Sequence, residues 1–161
     1  EFMKRAGNPS GALDFLEEYI RSQPDLEERR VAKCAFVEEC MNHVGSYEDK
    51  KSRVLAILAF GESEYRSELI FAEKAYENKD VEGTQDALAR ARSSVEKIND
   101  SRAWVALADT LAAVDQTDEA IALFRRYCTP LNDGPSLRTY RCTKVYVRIA
   151  RAHRTSQIGA C

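Results

Sequence analysis

Glycine and proline are scarce, at 7 and 4 in 161 residues. Strands need turn residues at close intervals, so this shortage argues against a sandwich and against a flexible linker. Long apolar runs are missing too. The longest, Val54 to Phe60, is far below the ~20 residues that a helix needs to cross a bilayer. No signal or transit pattern is visible. Cys34, Cys40, Cys128, Cys142 and Cys161 are odd in number and contain no C-x-x-C pair. Neither a complete disulfide framework nor a zinc site is therefore expected, and a cytoplasmic or other reducing compartment is the simplest setting. A Gly-rich phosphate loop, an H-E-x-x-H helix and a nucleophile elbow are all absent from the sequence. His43 and His153 are far apart and read as ordinary helix histidines. Neighbouring acids such as Glu17-Glu18 and Glu38-Glu39 diverge on a helix and suggest solvated faces. The expectation is a protein without catalysis, cofactor or metal.

What is present is a composition 44 % hydrophobic and 31 % charged, the balance of a helical globular chain long enough to bury its own core. The formal net charge is -2, but its distribution is uneven. All 26 acidic residues lie at or before Asp133, together with 18 of the 24 basic ones. Beyond it come Arg138, Arg141, Lys144, Arg148, Arg151 and Arg154, with no acid. That segment reads as a solvated basic face, with contact to nucleic acid or an anionic membrane as an alternative use. Glu1 and Phe2, ahead of Met3, look like a cloning remnant. One domain is expected over residues 3–155, with a flexible tail at 156–161.

Helix punctuation is regular. Asn8-Pro9 opens a helix that Pro24 stops near Ser22. Asp25 with Glu28 forms a D-x-x-E capping pattern for a second helix to about Val44. Ser46 with Asp49 starts a third, whose seven successive apolar residues predict burial on every side before Gly61 closes it. Pairs are expected at about 63–78 and 81–98, separated by Lys79-Asp80, and at about 100–114 and 117–128, joined by Asp115-Gln116. Such short links make antiparallel neighbours. A loop over 129–135 and a last, basic amphipathic helix over 136–154 complete about eight helices.

A period runs through them. Its clearest unit is Trp104-x2-Leu107-Ala108-x2-Leu111, followed by Ala120-x3-Phe124-x2-Tyr127. Small residues there permit close helix approach, while the large ones fill the space between. Echoes fall at Ala12, Leu16 and Tyr19, at Ser52, Ala56 and Ala59, and at Ala87, Ala91 and Ser94. From Ala12 through Ala120 the steps are 40, 35 and 33 residues. Val37, Cys40, Met41 and Val44 repeat the first-helix spacing. The Trp104 unit resembles the tetratricopeptide repeat, and the irregular step is similar to the helical repeats of vesicle-coat, tethering and RNA-processing proteins.

The resemblance implies a right-handed α-solenoid, all-α, of roughly three tetratricopeptide-like pairs plus flanking helices. It also implies a protein–protein interaction scaffold or adaptor, forming a segment of a longer multi-repeat protein, that receives a peptide or helix in a concave groove. Carried onto this sequence, the groove positions are Arg102, Val105, Asp109 and Ala112 on one helix, Tyr140, Thr143, Val147 and Ala150 on the last, and Ala72 and Tyr76 on an earlier one. The family's clamp for acidic C-terminal peptides is missing, since Val105 and Asp109 stand at its positions. Two alternatives remain: a structural spacer in an assembly, and a lipid or nucleic-acid contact through Arg141, Lys144, Arg148 and Arg151.

Overall fold

The computed structural model describes residues 9–98 and 100–127. The expected loop at 129–135, the last helix with Tyr140, Arg141, Thr143, Lys144, Val147, Arg148 and Arg151, the tail at 156–161, and Cys128, Cys142, Cys161 and His153 lie outside the described residues. Among the described residues there are seven helices and no strand: α1 (Pro9–Ser22), α2 (Leu26–Asn42), α3 (Tyr47–Leu58), α4 (Tyr65–Glu77), α5 (Val81–Ile98), α6 (Ser101–Ala113) and α7 (Thr117–Tyr127). The chain divides into two compact units between Arg90 and Ala91, inside α5.

Local chemistry explains the starts of α2, α3, α5 and α6. The Asp25 carboxylate accepts from Glu28 N at 2.9 Å, and Ser46 Oγ accepts from Asp49 N at 3.2 Å. The expected reciprocal box at Asp25 is only half formed. Its own N–H donates to Gln23, while Glu28 turns away to accept from Tyr19 and Gln23. Asp80 takes Gly83 N at 2.9 Å, and Asp100 takes Arg102 N at 2.9 Å. Helix ends are equally explicit. Lys79 and Asp115 adopt φ of 63° and 61°, and Gly61 has φ of 68°. These left-handed residues reverse the chain within a few positions.

In the first unit α2 is the hub, packed against α1, α3 and α4. Ala32, Phe36, Val37, Cys40 and Met41 form its buried side. The seven-residue apolar run of α3 is not buried all round. Val54, Ile57 and Leu58 are buried, whereas Ala56 and Ala59 are exposed and Leu55 and Phe60 are half-buried. The helix ends at Leu58, ahead of Phe60. Because α3 packs chiefly on α2, one face is covered and the other meets solvent. Two weaker echoes of the period consequently fail as packing positions. Ser52, Ala56 and Ala59 are exposed, and around Ala12, Leu16 and Tyr19 the core positions are instead Leu13 and Ile20. Ala87, Ala91 and Ser94 are buried.

In the second unit α6 and α7 form a closely packed antiparallel pair. Leu107, Ala108, Leu111 and Ala120 are fully buried, Phe124 is 2 % exposed and Trp104 is 9 % exposed. The Trp104 and Tyr127 rings stack at 4.8 Å, with 2° between their planes.

Candidate functional site

The residues expected to face a groove do not all reach a surface. On α6, Val105 and Ala112 are buried, at 7 % and 6 % exposure, while Arg102 is exposed and Asp109 half-buried. The least buried stripe of α6 is therefore Arg102, which is exposed, with Ala106, Asp109 and Ala113, which are half-buried, so the positions expected at Val105 and Ala112 shift by one residue each. Both are covered because α6 is buried over most of its circumference, with Ala103 and Thr110 inside as well. Tyr76, at the end of α4 in the first unit, is 40 % exposed, and Ala72 is buried. Arg92 and Glu119 form an ion pair within the second unit.

The densest chemistry lies in the first unit. Lys33 sits among the apolar residues of α2 and is 1 % exposed. Its ammonium donates to the carbonyls of Phe60 and Glu62, the latter at 3.0 Å. It thus ties the turn after α3 back onto α2. Burial lowers its pKa, opposed by the negative charge of Glu68. Glu68, 2 % exposed on the first turns of α4, accepts from Arg90 Nε at 3.1 Å on both oxygens, and Arg90 Nη2 lies 3.0 Å away. Burial raises the Glu68 pKa, outweighing the pull of Arg90 and Lys33. Glu64 caps α4 through Ser67 N and accepts from Cys34 Sγ at 3.4 Å. Burial, reinforced by Glu64, pushes the Cys34 thiol up to about 12, so it stays protonated and unreactive at neutral pH.

A second cluster joins α3 to the start of α5. Asp80 accepts from Tyr47 Oη at 2.6 Å and pairs with Lys51 at 2.7 Å while capping Gly83. A Cβ at residue 83 would press on the Asp80 carboxylate, so any larger residue there displaces the carboxylate from its present bonds. Bonds from Lys51 and Tyr47 hold the Asp80 pKa at about 2. A folded pKa below the ordinary 3.8 means stability that is present above the unfolded pKa and lost as pH falls through the folded one. Asp80→Asn is expected to cost about 2 kcal/mol at neutral pH and to flatten the acid limb of stability between about pH 4 and pH 2. Denaturant titrations across that range check it.

Two recesses lie in the first unit, of which the smaller borders these groups. A cleft of about 190 Å³ is lined by Lys51, Leu55, Phe71, Glu82, Gly83, Asp86 and Arg90. A shallow groove of about 470 Å³ runs past Asp14, Glu17, Glu18, Arg21, Ser22 and Arg53. Arg53 in that groove is tied to Asp14 and Glu17, and Arg21 to Glu17. The cations of both recesses are thus engaged internally, Arg21 within its own helix and Arg53, Lys51 and Arg90 in bonds to other elements.

The pair Glu68–Arg90 and the Lys33 latch were not anticipated from the sequence. One signal existed: Lys33 shares a helical stripe with Val37 and Cys40, where a charge must find a buried partner. Among the described residues no helix is long and apolar enough to span a membrane, and no group of three His, Cys, Asp or Glu is placed to hold a metal. Compared with family models, with curated proteins and with solved structures, the chain shows no match to any.

Proposed function

We propose that the protein is a non-catalytic protein–protein interaction scaffold of tetratricopeptide-like helix pairs arranged as a solenoid, presenting helix faces to a peptide or helix of a partner in a cytoplasmic setting. The observation that carries this reading is the α6–α7 pair. Trp104, Leu107, Ala108 and Leu111 meet Ala120 and Phe124 at the positions where the repeat resemblance requires large and small residues, and all six are buried. With those side chains spent on holding the pair, the exposed Arg102 and the half-buried Ala106, Asp109 and Ala113 make up the stripe of α6 that reaches a surface. In the first unit the buried Lys33 and Glu68, with the half-buried Arg90, likewise serve to fasten helices.

Affinity capture from the protein's own cells, followed by calorimetric titration of the purified partner, tests the reading. Arg102→Ala with Asp109→Ala is expected to weaken that partner at least ~10-fold with the helical circular dichroism unchanged. A partner bound equally well by this variant and by Tyr76→Ala would point to a spacer that uses no recognition face.

A further inference from the structure

The first two helices carry an unpartnered apolar face of defined charge. Phe15 on α1 is 55 % exposed and Val31 on α2 is 59 % exposed. Tyr19 Oη donates to Glu28 at 2.8 Å, which fixes these two residues opposite each other across the antiparallel pair. Phe15 is one turn before Tyr19 and Val31 one turn after Glu28, so both lie one turn from that link in the same direction. The rings of Phe15 and Tyr19 stack at 6.4 Å, which makes a continuous apolar surface. This placement also explains why α2 separates its polar and apolar residues poorly: Lys33 has gone inside and Val31 outside.

Among the described residues, the exposed and unpaired charges that share the patch's side are carboxylates. Glu18 follows Phe15 by three residues, while Glu28 and Glu38 precede and follow Val31 by three and seven. All three are exposed and share the patch's side of their helices. The nearest arginine on α2, Arg30, is turned aside and paired with Glu27 and Glu62. An apolar centre with an acidic rim attracts the opposite pattern.

We propose that Phe15, Tyr19 and Val31, rimmed by Glu18, Glu28 and Glu38, form a docking face for an amphipathic helix of a partner protein whose apolar ridge is flanked by lysine or arginine. This rests on the scaffold reading above and adds the chemistry of one partner. The apolar centre supplies adhesion and the carboxylates select the charge of the visitor. They also repel a second copy of the same acidic face.

Two synthetic 18-residue helical peptides with one leucine ridge, flanked by lysine in one and by glutamate in the other, provide the probe. Titrated into the whole chain and followed by fluorescence anisotropy, the lysine peptide is expected to bind and the glutamate peptide to bind at least ~10-fold more weakly. Phe15→Ser with Val31→Ser, both at exposed positions, and separately Glu18→Lys with Glu38→Lys, are each expected to weaken the lysine peptide at least ~10-fold with circular dichroism unchanged. Equal binding of the two peptides, binding indifferent to Phe15 and Val31, or no binding overturns the proposal. So does a concentration-dependent dimer that Phe15→Ser with Val31→Ser dissolves, because the face then belongs to a second copy. A cellular partner lost with Arg102→Ala and Asp109→Ala but indifferent to Phe15 and Val31 sinks this face and leaves the scaffold reading standing.

Discussion

Arg90→Leu is expected to destabilise the protein by about 3 kcal/mol, the lower end of the range for breaking a buried ion pair. Glu68 is 2 % exposed and would lose the guanidinium that bonds both its oxygens, but the Arg90 side chain is itself 40 % exposed and so returns part of its own hydration. The loss has a pH signature. Burial already raises the Glu68 pKa, and a raised folded value means that ionised Glu68 costs stability as pH climbs through it. Removing Arg90 raises the pKa further, so the penalty is greatest at neutral pH and shrinks as acid neutralises the carboxyl. Replacing both partners, Glu68→Leu with Arg90→Leu, is expected to recover most of the stability, because no buried charge is then left facing apolar neighbours. Urea titrations at pH 7 and pH 5 on the single and double variants distinguish these cases. A double variant as weak as Arg90→Leu would show that the pair's geometry, and not its charge balance, holds α4 to α5.

Trp104→Ala is expected to cost roughly 3–5 kcal/mol, the usual range for emptying a large aromatic from a core. Trp104 is 9 % exposed and stacks against Tyr127 at 4.8 Å, and such a stack adds about 0.5–1.5 kcal/mol to its area burial. Its indole Nε1 is buried and has no hydrogen-bond acceptor among the described residues. An unsatisfied donor of that kind costs about 1–3 kcal/mol. Trp104→Phe therefore removes a penalty along with part of the ring, and the two nearly cancel, giving a change within about 1 kcal/mol. Thermal unfolding of the two variants reads the contrast directly. A phenylalanine variant as unstable as the alanine one would mean that ring volume alone decides the site.

Helix positions were legible because their signals are local. Pro24 cannot continue the helix before it, Asp25, Ser46 and Asp80 each accept from an amide within three residues, and the boundaries they predict agree with the helices to within a few positions. The Trp104 unit was legible for a related reason, since a pair joined by Asp115-Gln116 can pack only against itself at the spacing its large and small residues set. Faces were less legible. The apolar run of α3 carries no record of how many neighbours the helix will have, so Ala56 and Ala59 read as buried and are exposed. Val105 read as a groove residue and is buried, because the circumference that α6 covers depends on what packs around it.

By itself the sequence determined that the described chain is helical, where its helices begin and end, and which residues join α6 to α7. Each of these follows from hydrogen bonds and spacing within one or two turns of the same chain. Only the tertiary structure decided that Lys33 would be inside and Val31 outside, and that Glu68 would find Arg90 across 22 residues. It also left Phe15 exposed, at 55 %. Those outcomes depend on side chains distant in sequence meeting in a medium where an unpaired charge is costly, so the contact, and not the residue type, sets the result.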